Sequence, residues 1–386
     1  MLSDLSRYLE VDRQKRQLVD DVLLPAYEEH IVFKSKRNVL KSVELFDEVD
    51  FDACEALPLT KYCPKCHREF PEDANFCYKC SVKLKDIDDI IDVRDIRSNP
   101  KFELPGKSTF ESFEDIFSDV NFKKINDFEF KITDYKRIIR QIKTEAFKNY
   151  DSLVSSNELV QDWLSVPDQV LLFSKSFADV VYKSYGQDLG SYGFNTIEID
   201  DRQRSSLQIT TLIHELAHFI LSEILTRVLC RILDCSKNSY IEALITFILS
   251  YNPFTRLIDE YSAHTVEGRF TVYGYQDYSS FLQIEKSLDG EMPRDEIEIT
   301  KSIGNTFAIS IKDILESYID RDMREDIKKL FLSENFDSPN YEMLKLENCE
   351  KLTDEGFLKA IWLILADGFE VASLNVEKLE EYENCF

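Results

Sequence analysis

From Leu212 to Leu233 apolar residues recur on every side of a helical repeat: Leu212, Ile213, Leu216, Ile220, Leu221, Ile224, Leu225, Val228, Leu229, Ile232 and Leu233. A helix that is apolar all round belongs inside a core, not over one. Around it the patterning predicts an α+β protein that is mostly helical. Residues 1 to 28 read as an amphipathic helix interrupted near Pro25, and short strands are expected at residues 31–33 and 39–46. Helical spacing returns over residues 135–150 and 155–164, and residues 168–185 form a mixed apolar stretch. Gly186 to Gly193 is rich in turn residues, and Asn195-Thr196-Ile197-Glu198-Ile199 alternates as a half-buried strand. Asp200-Asp201 or Ser205-Ser206 can cap the apolar helix that follows. Tyr240 to Tyr251 is a short buried helix, Pro253 separates it from a helical segment over residues 257–268, and amphipathic stretches at 303–319 and 355–365 close the chain.

Embedded in the apolar helix is His214-Glu215-Leu216-Ala217-His218. At 3.6 residues per turn His214 and His218 share a face, so their ring nitrogens can converge on one metal ion. Glu215 is rotated to the edge of that face, where it can reach a water bound to the metal and act as a general base. Two imidazoles, a carboxylate and one position left for water suit zinc in a catalytic site. A chance coincidence of the motif would leave three polar groups in an apolar setting, at a cost of several kcal/mol for each unpaired group (about 2–7). The helix over residues 257–268 supplies Glu260 and His264, four apart on one face, and either could be the third ligand. Glu260 leaves the lower net charge, which eases burial in an apolar core. Donors in sequence reach for a developing oxyanion are His264, Tyr261, Tyr273 and Tyr275, while Asp259 can orient a histidine ligand.

A second metal signature precedes this one. Cys63-Pro64-Lys65-Cys66 and Cys77-Tyr78-Lys79-Cys80 are two C-x-x-C knuckles whose separation can place four thiolates around one zinc. The pair resembles a zinc ribbon, although His67 and Ser81 follow the knuckles where ribbons commonly carry glycine for a positive φ. Two zinc ions per chain are therefore expected, one structural and one catalytic. Residues 61–85 carry a charge of +3 before the metal and +1 with four thiolates and zinc, too little for strong nucleic-acid binding, so a structural or protein-docking role is expected.

The whole chain, 386 residues with a net charge of −25, argues against nucleic acid and anionic membranes as partners. No signal-peptide pattern or stretch of about 18 apolar residues occurs, and the remaining cysteines, Cys54, Cys230, Cys235, Cys349 and Cys385, form no disulfide framework. A soluble cytoplasmic protein is expected, with Cys230 and Cys235 as buried thiols on the apolar helix. The expected divisions are a helical segment at 1–60, the ribbon at 61–85, an acidic linker at 86–125, a metal-site domain at 126–290 and a helical cover or oligomerisation region at 291–386.

With both metal-site helices identified, the chain resembles gluzincin metallopeptidases, and Asn195–Ile199, Arg202-Gln203 and Thr211–Leu221 resemble the corresponding stretch of the ImmA/IrrE-like intracellular peptidases. In that family a later E-x-x-A helix supplies the third ligand, matched here by Glu260-Tyr261-Ser262-Ala263, with Ala263 small enough for close helix packing. The 41 residues between His218 and Glu260 exceed the family's expected spacing. The resemblance implies hydrolysis of a peptide bond in one regulatory protein, with Glu215 as base and His264 aiding catalysis. It also implies that Asn195, Thr196 and Ile197 lie on an edge strand to which an extended substrate adds. The competing expectation is a non-catalytic zinc module that binds or senses a protein partner, against which stands the presence of Glu215, a base that a structural site does not need.

Overall fold

The computed structural model describes residues 59–63, 68–86, 92–119, 130–157, 159, 164–184, 189–271, 279–288, 292–334 and 350–386. The expected elements before residue 59, together with Cys66, Tyr273 and Tyr275, lie outside these. In chain order the elements are β1 (Leu59–Tyr62), β2 (Glu69–Pro71), β3 (Lys85–Asp86), α1 (Phe113–Asp119), α2 (Ile132–Ser156), α3 (Val166–Ser174), β4 (Asp179–Lys183), β5 (Gly190–Gly193), β6 (Thr196–Asp200), α4 (Ser205–Leu233), α5 (Ser239–Tyr251), α6 (Pro253–Phe270), α7 (Ser279–Ser287), α8 (Arg294–Leu315), α9 (Arg321–Glu334), α10 (Asp354–Ser373) and α11 (Val376–Glu383). The fold is α+β and mostly helical, as the patterning predicts. No helix among the described residues is long and apolar enough to cross a membrane.

The chain divides into two compact units, the second comprising Val93–Leu159 and Val166–Phe386. In the first, β1 pairs antiparallel with β2 and β3 in the order β2-β1-β3. Cys63, Phe70, Cys77 and Leu84 form its small core. The Cys77 knuckle is held by backbone N–H groups, Cys80 donating to the Cys77 sulfur at 3.4 Å and Ser81 to the Cys77 carbonyl at 2.7 Å. Ser81 stands at φ 55, the left-handed conformation for which glycine is the usual choice.

The second unit is built on α4. Its residues are buried along nearly the whole length, because the sequence is apolar on all sides and neighbours cover every side. Helices α2, α3, α5, α6 and α9 pack on it, as do β5 and β6. On its far side α6 is covered by α8, whose Gly304 sits so close to α6 that an added Cβ would lie 2.9 Å from the Ile258 carbonyl oxygen. The C-terminal helices, set apart by their sequence as a cover, belong to this same unit. Two expectations are corrected. The stretch 93–119, read as part of an acidic linker, is built into the unit: Val93, Ile96, Phe102, Phe110, Phe113 and Ile116 are buried. The buried Lys175 ammonium anchors it by donating to the carbonyls of Val93, Arg94 and Ile96. The N-terminus of α4 is not capped by Asp200, Asp201 or a serine hydroxyl; Glu334, at the end of α9, accepts from the Ser206 N–H at 2.9 Å. A carboxylate from a distant helix thus satisfies an end donor that a local side chain was expected to satisfy.

The sheet of this unit has the order β4-β6-β5, with β6 parallel to β4 and antiparallel to β5. Phe194 and Asn195 connect β5 to β6 with φ of 48 and 60, the two-residue turn whose twist matches a hairpin. The turn-rich reading of residues 186–193 therefore gives way, from Gly190 on, to a strand. An aromatic residue at positive φ is held there by packing, its ring meeting Tyr382 and Phe386 edge-on.

Candidate metal centre

Helices α4 and α6 meet at the histidine motif. The distances between His214 Nε2, His218 Nε2 and the nearer Glu260 oxygen are 3.2, 3.8 and 3.9 Å. Ligand atoms about 2.0–2.1 Å from a tetrahedral zinc stand roughly 3.3 Å apart, so this triangle is close to a metal-binding one. His214, His218 and Glu260 form a group that could hold a metal ion.

The outer nitrogens show why a cation fits. His218 Nδ1 donates to Asp259 at 2.7 Å and His214 Nδ1 donates to Glu267 at 3.1 Å. Carboxylates accept only, so each ring carries its proton on Nδ1 and presents a lone pair at Nε2. Two Nε2 lone pairs facing each other at 3.2 Å repel unless a proton or a metal lies between them. Without metal the protein meets this with protons. Burial pushes both histidines down, but the hydrogen bonds His214 donates to Glu260 and Glu267, and the charge of Asp259 beside His218, outweigh it. His214 stands well above the usual imidazole range and His218 at about 9. A pKa raised above the unfolded value of about 6.5 contributes stability that is fully present below that pH and lost as pH rises through the folded value. The melting temperature of the metal-free protein is therefore expected to fall between about pH 6.5 and 9 through His218, and to go on falling through His214, which is also held well above the usual imidazole range. Metal binding should release protons over the same interval, which calorimetry in buffers of different ionisation heat would count.

Glu260 is fixed from behind. The Ser280 hydroxyl, on α7, donates to it in a short hydrogen bond, and Ser280 also stands 2.7 Å from His264 Nε2. His264 Nδ1 lies 3.3 Å from Glu267, the same carboxylate oxygen that receives His214. Of the two nitrogens, Nε2 hydrogen-bonds Ser280 and Nδ1 stands near Glu267 without a hydrogen bond to it, and the ring packs edge-on against His214. His264 was expected to donate to a substrate oxyanion or to support the ligands; it lies beside Glu267, Ser280 and His214. Tyr261 is buried against Leu257 and Phe281. His214, His264 and Glu267 also lie together in a group that could hold a metal, sharing His214. A neutral imidazole has one lone pair, and His214 directs it from Nε2 towards His218 and Glu260, so the two groups support one ion, not two. Asp259 does what its sequence position suggests. Glu267 and Ser280 were missed: Glu267 continues the face of Glu260 and His264 two turns on, a periodicity that could have found it, whereas no local pattern marks Ser280.

Glu215 is buried beside the pair. Burial raises its carboxyl pKa, and the positive charges of His214 and His218 oppose that rise. It faces β5: a Cβ added at Gly190 would lie 3.1 Å from Glu215 Oε1 and 2.3 Å from the Thr211 methyl. A cleft of about 590 Å³ runs over these groups, lined by Leu189–Gly193 of the β5 side, the histidines, Glu215 and Glu260. The strand along the cleft is β5 and not the segment Asn195–Ile199. β6 is the central strand, Ile197 is fully buried, and Asn195 is a turn residue whose amide donates to Glu242 at 3.1 Å. Asn195, Thr196 and Ile197 are therefore not at a free edge. Leu189 accepts from the Asp200 N–H, so the antiparallel alternation turns the N–H and C=O of Gly190 and Tyr192 away from β6. Gly190→Ala is expected to push β5 off α4, because Thr211 is short and branched and cannot swing aside. Any activity of the cleft should fall at least about tenfold while the metal stays bound, read by rate and metal content on the same sample.

In the first unit the sulfurs of Cys63, Cys77 and Cys80 lie within 4.8 Å of one another, a second group able to hold a metal. Comparison of the chain with models of protein families, with curated proteins and with solved structures found no match.

Proposed function

We propose that this protein is a zinc-dependent peptidase of the gluzincin type, with His214, His218 and Glu260 as ligands and Glu215 as general base. The observation that carries the reading is the pair of Nε2 atoms 3.2 Å apart, each ring held by a carboxylate on Nδ1, with Glu260 completing the triangle. A structural site would close its fourth position with another side chain, and here a cleft lies over the ligands instead. Zinc bound there would polarise a substrate carbonyl and lower the pKa of an attacking water towards ~7. The residues of the chain do the rest. Glu215 takes the proton from that water and returns it to the leaving amine; a buried carboxylate with a raised pKa suits both transfers. The outward backbone groups of Gly190 and Tyr192 bind the substrate as an added strand, which sets an extended peptide along the cleft. Asp259 and Glu267 keep both imidazoles in the ligating tautomer.

The resemblance to ImmA/IrrE-like peptidases supports one specific regulatory protein as substrate and a cytoplasmic setting, and the Cys63, Cys66, Cys77 and Cys80 set would hold the structural zinc. The test joins metal content to new protein ends. Purified protein should contain two zinc ions per chain, and a proteome exposed to it should show a new terminus that is absent with Glu215→Gln. One zinc per chain, lost when Cys63 and Cys66 are replaced and unaffected by Glu260→Ala, would remove the catalytic site. Two zinc ions with no new terminus would favour the binding module.

A further inference from the structure

At its C-terminus α4 ends on Asp234, which stands at φ 50, and the N–H groups of Asp234 and Cys235 both reach the carbonyl of Cys230, the latter at 3.0 Å. This six-to-one closure is the Schellman motif, which brings the side chains at its two ends into contact. Here both are cysteines. Cys235 is thus past the helix end and not on the helix. The two thiols are 1% and 2% exposed. The thiol of Cys230 hydrogen-bonds to the sulfur of Cys235, and that bond raises the pKa of Cys230 and lowers that of Cys235.

The turn is held shut by a strap of backbone. Lys107 and Ser108 donate to the Asp234 carbonyl, Ser236 donates to Ser108 and Lys237 to Leu104, at 2.8–3.3 Å. Gly106 lies directly on the turn, where a Cβ would come within 2.0 Å of the Cys235 carbonyl carbon. Beside the strap is a cavity of about 180 Å³ lined by both cysteines and by Arg137, Arg227 and Arg231. Arg137 and Arg231 are exposed, so the cavity reaches solvent, and it is several times the roughly 30 Å³ a water molecule occupies.

We propose that Cys230 and Cys235 form a redox-active pair that closes to an intramolecular disulfide on exposure to a peroxide. A disulfide requires facing side chains on Cα atoms no more than about 6.8 Å apart, and the six-to-one closure, with the Cys235 N–H on the Cys230 carbonyl, turns these two side chains towards each other. The thiolate of Cys235 attacks one peroxide oxygen; the O–O bond breaks, hydroxide leaves, and Cys235 becomes a sulfenic acid. The sulfur of Cys230 then attacks that of Cys235, forming the S–S bond and expelling hydroxide, which takes the Cys230 proton. Two thiols are oxidised to one disulfide while one peroxide is reduced to two waters. The bond would staple the end of the helix that carries the two histidines, independently of what the cleft does.

The sequence makes the test direct, because trypsin cuts after Arg227, Arg231 and Lys237 and so separates the two cysteines. Full-length, zinc-loaded protein is treated with hydrogen peroxide, alkylated and digested without reduction. Peptides 228–231 and 232–237 are expected as one linked ion that carries most of both cysteines and splits on reduction. The ion should be absent from Cys235→Ser. The proposal is overturned if both cysteines are recovered alkylated at a peroxide dose that oxidises the exposed Cys385. Recovery of Cys235 as sulfinic acid, or joined to a different cysteine, overturns it as well.

Discussion

Glu215→Gln is expected to leave the metal bound and the fold unchanged while peptide hydrolysis falls by about 10²–10⁴. The size of the effect follows from what is kept. Glutamine has nearly the same volume, so the close approach of Gly190 to residue 215 is preserved and β5 stays against α4. Glu215 is not one of the three residues that could hold the metal, so metal content should match the parent. What would disappear is the carboxylate proposed to accept a proton and give it back. Such a variant should lose rate with little change in KM, since substrate held on the β5 edge does not depend on the base. A variant that cleaves normally would show that another group carries the proton, and the mechanism would have to be rebuilt around it.

The second large effect separates Glu260 from its neighbour one turn on. Glu260→Ala removes one corner of the ligand triangle and leaves the two Nε2 atoms facing each other with no anionic ligand beside them. Metal affinity at this site should fall by more than about 100-fold, beyond the range of 10–100-fold typical for outer partners. His264→Ala removes only the group that braces Ser280 and stands beside Glu267. Its loss should lower affinity by about 10–100-fold and leave a measurable bound ion. Competition against a chromogenic chelator would rank the two. If His264→Ala empties the site and Glu260→Ala does not, the site is a three-histidine one and the gluzincin reading falls.

Much of the centre was legible because its parts are periodic. His214 and His218 sit four apart on a helix, and so do Glu260 and His264; helical geometry fixes such pairs whatever surrounds them. Asp259 was legible as a partner for the same reason. The apolar run from Leu212 to Leu233 likewise required a buried helix, since a helix without a polar face has nowhere else to go. The choice between Glu260 and His264 as ligand could be argued from charge but not settled, because both side chains leave the same face of α6.

Relations between distant segments were not legible. The sequence placed the substrate edge at Asn195–Ile199, where alternation is clear, yet alternation marks a strand and is silent on its neighbours. The edge fell to Gly190–Gly193, a stretch whose glycines disguise it as a turn and in which the missing Cβ of Gly190 is what lets the strand lie against Thr211 and Glu215. Capping of α4 by Glu334, bracing of Glu260 by Ser280 and the burial of residues 93–119 all join positions far apart in the chain. By itself, then, the sequence determined which side chains share a helix face and therefore which chemistry could be assembled, because 3.6-residue periodicity is local. Only the tertiary structure decided which strand is free, which carboxylate stands behind each histidine and where each nitrogen points, because those depend on contacts that no local repeat encodes.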